Sequence, residues 1–121
     1  MTKCILVVED TEDNRAILRD LLTHAGFDLL EATDGAAGIA MAAAHKPDLI
    51  LMDIELPGVD GYEATARIKA NPELGHIPVI AVSSYAQPGD AAKAISAGCS
   101  AYMAKPCSPR AVLAKIREFL A

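Results

Sequence analysis

Three acidic residues, two hydroxyls and one lysine stand out because each follows directly on a short apolar run. Glu9 and Asp10 come after Cys4-Ile5-Leu6-Val7-Val8, and Asp53 after Leu49-Ile50-Leu51-Met52. Ser83 and Ser84 come after Val79-Ile80-Ala81-Val82, and Lys105 after Ala101-Tyr102-Met103-Ala104. If those runs are neighbouring strands, the polar residues meet at one rim. Two carboxylates about 5 Å apart repel by roughly 3 kcal/mol at an effective dielectric of about 20. A hard divalent cation offsets that repulsion, and Mg2+ combines carboxylates with waters and phosphate oxygens. Lysine adds a point charge for an anion. Any one of these residues reads equally well as a cap at a sheet end. Together they point to a hard divalent cation such as Mg2+.

The elements that position this set alternate from end to end. Cys4–Val8 is a continuous apolar run, as in a strand buried on both faces. Thr11–Ala25 reads as a helix with Ile17, Leu18, Leu21, Leu22 and Ala25 on its inward face, and Gly26 stops it. Phe27–Ala32 is the second strand, and Asp34–His45 an Ala-rich helix with Asp34 near its N-cap. Leu49–Met52 is the third strand, ending at Asp53, and Tyr62–Ala70 a helix. Ile77–Val82 is the fourth strand, Gly89–Ala97 a helix closed by Gly98, and Ala101–Ala104 the fifth strand. The last helix opens with Ser108 as N-cap and Pro109 behind it, burying Val112, Leu113, Ile116, Phe119 and Leu120. Five β-α units imply a parallel sheet with helices on both faces, and such sheets bind ligands at the carboxyl ends of their strands. The expected organisation is one domain over residues 1–121, with no effector domain.

Composition narrows the classes further. The net charge of −5 argues against direct nucleic-acid binding, which needs a basic face. No apolar run approaches the roughly 18 residues of a membrane span, and the start lacks a signal-peptide pattern, so a cytoplasmic protein is expected. Cys4, Cys99 and Cys107 have no CxxC spacing and read as reduced thiols. His24, His45 and His76 lie apart at no ligand spacing and read as solvated or capping side chains.

Val7-Val8-Glu9-Asp10, the stretch Pro47 to Gly61 around Asp53, Ile77-Pro78-Val79-Ile80-Ala81-Val82-Ser83 and Ala101-Tyr102-Met103-Ala104-Lys105-Pro106 resemble the response-regulator receiver family, in order and over essentially the whole chain. The resemblance implies a flavodoxin-like fold with strand order 2-1-3-4-5. It implies Asp53 as phosphoacceptor, with Glu9, Asp10, Asp53 and the backbone carbonyl of Glu55 holding Mg2+. Lys105 then contacts a phosphoryl oxygen, followed by a cis bond to Pro106. Ser83 donates its hydroxyl to the phosphate, and Tyr102 turns inward when Ser83 moves. The implied donor is a histidine kinase or histidine phosphotransfer protein. The implied output surface is the face of the fourth helix, fifth strand and fifth helix, of which the fourth helix, after Pro88 and Gly89, is expected to be the least rigid. Lys46 to Ile54 and Gly98-Cys99 are similar to the DivK group of single-domain regulators.

Two departures bear on the site. Ser84 follows the switch hydroxyl where the family most often has Ala, so two adjacent serines are candidates and the strand spacing favours Ser83. Glu stands at position 9 in place of Asp, a variant that reaches the metal through water. Glu55 and Tyr85 flank the expected site and would tune access of hydrolytic water. Two other classes remain. A phosphohydrolase of the haloacid dehalogenase type would place its nucleophile after the first strand in a DxD pattern and carry a cap, features not seen here. A phosphorylation-independent module with the same fold would typically lose the acidic pair, the acceptor or the lysine, all present here.

Overall fold

The computed structural model describes residues 2–84, 89–105 and 108–120. Tyr85, Pro88, Pro106 and Cys107, and what the sequence suggests for them, lie outside the described residues. Among those described, five strands and five helices alternate: β1 (Cys4–Val8), α1 (Glu12–His24), β2 (Asp28–Ala32), α2 (Gly35–His45), β3 (Leu49–Asp53), α3 (Gly61–Ala70), β4 (Val79–Ser83), α4 (Asp90–Ala97), β5 (Ala101–Ala104) and α5 (Pro109–Leu120). The strands form one parallel sheet in the order β2-β1-β3-β4-β5. The expected flavodoxin-like topology is therefore the observed one.

Alternation along each strand divides the core into two layers. Leu6, Val8, Ile50, Met52, Val79 and Ala81 face one side, packed with Ala42 of α2, Ala64 and Ile68 of α3 and Ala94 of α4. Ile5, Val7, Leu49, Leu51 and Ile80 face the other, packed with Leu22 of α1 and with Val112 and Ile116 of α5. With helices on both faces, β1 and β3 are buried at every position but the first of β1, and Asp53, the last of β3, is their one charged residue.

Side-chain caps set several helix starts. Asp34 accepts from the Ala37 N–H at 2.7 Å, Asp60 from the Glu63 N–H at 2.9 Å, and Ser108 from the Ala111 N–H at 3.1 Å. Thr11 takes the N-cap position of α1 without a side-chain capping bond, and the helix begins at Glu12. Gly98 ends α4 at φ 108, a conformation that strains any residue with a Cβ.

Several element ends shift by one residue, and three expectations change further. Strand β4 starts at Val79 rather than Ile77, because Pro78 has no N–H and the Ile77 N–H closes a turn on Leu74 O. Ile17, expected inward, is 56% exposed and lines a groove of about 510 Å3 with Leu18, Leu21, Pro109 and Val112. Phe119, expected buried, is 37% exposed in the last turn of α5.

Candidate functional site

The sheet order brings the carboxyl ends of β1, β3, β4 and β5 side by side, and the six polar residues gather there. Glu9 leaves β1 with its N–H donating to Ala32 O of β2 at 3.0 Å. Its carbonyl accepts from Arg15 Nη1 at 2.9 Å, and its Oε1 from the Thr11 N–H at 3.2 Å. Arg15 is itself held by Glu12 and by Glu31 of β2. The loop carrying Glu9 and Asp10 is thus tied to β2 and α1.

Asp53 is the last residue of β3 and is buried. The Ile54 N–H donates to Val82 O at 3.0 Å, which keeps Asp53 beside the end of β4. Gly61 packs directly against the Asp53 carbonyl, where a Cβ would collide. Ser83 ends β4 and is buried, whereas Ser84 is exposed. The Lys105 N–H donates to Ser83 O at 2.7 Å and aligns the ends of β4 and β5.

Side chains then converge. Lys105 Nζ lies 2.9 Å from Glu9 Oε2 and 3.6 Å from Asp53 Oδ2. One oxygen each from Glu9, Asp10 and Asp53 lie within 4.8 Å of one another. Glu9 and Asp53 are buried and Asp10 is exposed, so solvent reaches the cluster beside Asp10.

Burial, then the charge of Glu9, pushes the Asp53 carboxyl up to about 6, against the pull of Lys105 and of the Glu55 N–H that donates to Oδ1 at 3.1 Å. Burial acts on Glu9 in the same sense, but the hydrogen bond and charge of Lys105 outweigh it and hold Glu9 below its ordinary value. Lys105 is raised, since Glu9 and Asp53 outweigh the burial that would lower it. Glu9 and Lys105 therefore form the settled ion pair, leaving Asp53 as the poorly compensated carboxylate.

Tyr102 stands opposite Ala81 on β5. It packs on the core layer beneath α2, α3 and α4, with its hydroxyl buried and, among the described residues, without a hydrogen-bond partner. Glu55 is placed by more than its backbone. Its Oε2 accepts from Ser83 Oγ and its Oε1 from the Ser84 N–H, both at 2.6 Å. Sequence reasoning missed this contact, and it missed Arg15 and Asn14, both of which bond to Glu9. The spacing of Glu12 and Arg15 was readable as a helical pair, but nothing in it indicates that Arg15 reaches the carbonyl of Glu9.

Three carboxylates with hard oxygen donors, open on one side, fit a hard divalent cation that keeps part of its water shell. The description "Response regulator receiver domain" belongs to the family that matches residues 5–117.

The chain belongs to that family.

This receiver is 42% identical over 120 residues to the polar-differentiation response regulator DivK of Brucella ovis, covering 99% of this chain and 98% of that protein. It is 31% identical to the receiver domain of sensor histidine kinase PA1611 from Pseudomonas aeruginosa, with a TM-score of 0.91 and 99% and 98% of the two chains covered. That structure has a magnesium ion coordinated in its active-site cleft. The Vibrio cholerae chemotaxis protein CheY4 superposes with a TM-score of 0.93 over 98% and 99% of the chains; at 21% identity it speaks for the fold alone. The Glu9–Asp10–Asp53 cluster corresponds to a receiver active site. As a receiver, the chain is a phosphoaccepting domain of two-component signalling rather than an ordinary enzyme, and a histidine kinase is its implied partner. Among the described residues, no helix is long and apolar enough to cross a membrane.

Proposed function

We propose that this receiver takes a phosphoryl group from a phosphohistidine donor onto Asp53 and signals through changed protein–protein contacts or onward relay. The observation that carries this reading is the pairing at the rim: Lys105 satisfies Glu9 and leaves Asp53 buried, negatively charged and within 3.6 Å of an ammonium. With its carboxyl near 6, Asp53 is mostly ionised at pH 7 and able to act as a nucleophile. A carboxylate oxygen of Asp53 forms the new bond to phosphorus as the bond from phosphorus to the histidine nitrogen breaks. The electron pair stays on the imidazole nitrogen. The product is an acyl phosphate, a labile mixed anhydride suited to a signal that decays.

Glu9, Asp10, Asp53 and the Glu55 carbonyl are the residues we assign to Mg2+, which when bound neutralises charge on the transferring group. Lys105 moves toward a phosphoryl oxygen, Ser83 donates its hydroxyl to another, and Tyr102 follows Ser83. The buried, unpartnered hydroxyl of Tyr102 supports that assignment, because leaving such a group unpaired costs about 1–3 kcal/mol and favours a second position. Glu55 and Tyr85 govern the approach of hydrolytic water. Equal autodephosphorylation in Glu55→Ala, Tyr85→Ala and wild type would remove that role.

A single receiver domain, cytoplasmic, with output through the α4–β5–α5 face and without direct nucleic-acid contact, belongs to the same reading. The near-complete coverage of DivK and the net charge of −5 support it. The test is transfer from a labelled histidine kinase or phosphotransfer protein. Label should move to wild type and not to Asp53→Asn; transfer to both would place the acceptor elsewhere.

A further inference from the structure

Glu55 joins two donors at the end of β4, beside Asp53. Its carboxylate spans Ser83 Oγ and the Ser84 N–H, each at 2.6 Å, while its own N–H donates to Asp53 Oδ1 at 3.1 Å. Bonds of this length to an ionised acceptor are charge-assisted and stronger than neutral ones. The register places these donors at the acceptor: Asp53 pairs with Val82, and the Ile54 N–H is bonded to Val82 O. A planar anion bridging an adjacent O–H and N–H has the same demands as two oxygens of a phosphoryl group.

We infer that Glu55 is an internal stand-in for the phosphoryl group, holding the Ser83 and Ser84 donors until a phosphoryl group on Asp53 displaces it. The inference rests on the assignment of Asp53 as phosphoacceptor. Two anions cannot share the same two donors, and a phosphoryl group bearing about −1.5 to −2 charge repels the carboxylate that holds them. The two occupants are therefore mutually exclusive. Glu55 has two effects. It keeps Ser83 and Ser84 aligned beside Asp53 before transfer, and it sets a threshold, since capture must break both of its bonds. Its release also frees the segment between β3 and α3, which Glu55 otherwise ties to the end of β4. Phosphorylation is thereby reported on the α3 side of the sheet, through a residue whose own backbone touches the acceptor.

The test has two parts. In metal-free protein, amide NMR compares the Ser84 N–H in wild type, Glu55→Gln and Glu55→Ala. Loss of the short bond to a carboxylate should shift this resonance upfield in both variants. Then, at saturating Mg2+, with Mg2+ affinity measured separately for each protein, beryllium trifluoride serves as the phosphoryl analogue and its dissociation constant is read by fluorine NMR. Removal of one charge-assisted competitor should tighten binding about tenfold in Glu55→Ala. An unmoved Ser84 resonance would overturn the stand-in, as would equal or weaker analogue binding in Glu55→Ala, and either result would leave Asp53 as acceptor. No analogue binding by any of the three would overturn the acceptor assignment and the stand-in with it.

Discussion

Lys105 is bonded to Glu9 rather than to Asp53: its ammonium lies 2.9 Å from Glu9 Oε2 and 3.6 Å from Asp53 Oδ2. Glu9 is buried, so removing its partner strands a charge. Lys105→Met should destabilise the metal-free protein by about 2–3 kcal/mol at pH 7. Adding Glu9→Gln should recover most of that loss, because the two sites are directly coupled. Urea unfolding of the two single variants and the double variant measures this. An undiminished loss in the double variant would mean that Lys105 stabilises the fold through something other than Glu9.

Asp53 carries the opposite expectation. Its charge is buried beside Glu9 with a partner shared elsewhere, so Asp53→Asn should stabilise the metal-free protein by about 1–3 kcal/mol at pH 7. Mg2+ should raise the melting temperature of wild type more than that of the variant, because ligand that binds only the folded state stabilises it by mass action. Equal responses to Mg2+ would count against the carboxylate cluster as its site.

The pH dependence follows from the same carboxyl. Its folded value of about 6 lies above the ordinary 3.8, so the folded state holds the proton more tightly than the unfolded chain. Below the ordinary value both states are protonated and Asp53 costs nothing. The cost grows between the two values and is complete above the folded one. Glu9, held low by Lys105, acts in reverse, stabilising above its ordinary value and losing that as pH falls. The difference in stability between Asp53→Asn and wild type isolates Asp53. In EDTA it should be near zero around pH 4 and reach its full size by about pH 7. A difference that is flat across this range would contradict the raised carboxyl.

Gly61 tests the backbone beneath the acceptor. A Cβ there would collide with the Asp53 carbonyl oxygen and come within 2.7 Å of Ile54 Cα, neither of which can rotate away. Gly61→Ala should cost about 1–3 kcal/mol and weaken Mg2+ binding. Gly75→Ala is the control, since its Cβ meets nothing nearer than the Lys69 carbonyl oxygen at 3.5 Å. Titration calorimetry with Mg2+ and thermal melts of both variants separate the two effects.

Fold and site were legible to different depths. Strands buried on both faces announce themselves as apolar runs, and the polar residue ending each run marks the rim, so Glu9, Asp53, Ser83 and Lys105 could be read directly. Local signals also gave Asp34 and Ser108 as caps. What stayed hidden depends on how distant segments meet. Arg15 reaches a carbonyl, which any residue could offer, and the Glu55 side chain bridges to serines 28 and 29 positions away. Helical periodicity placed Ile17 inward, yet α1 packs on the sheet through neighbours on the same stripe and leaves Ile17 lining the groove toward α5. The strand spacing singled out Ser83 over Ser84, and in the fold Ser83 ends β4 and is buried while Ser84 is exposed.

Phosphoryl capture at Asp53 is tested most directly by intact mass after incubation with acetyl phosphate and Mg2+. Wild type should gain a single phosphoryl group that is lost on standing at neutral pH, while Asp53→Asn, and wild type in EDTA, gain none. An adduct of the same yield in Asp53→Asn would contradict the account, because the acceptor would then be a different residue.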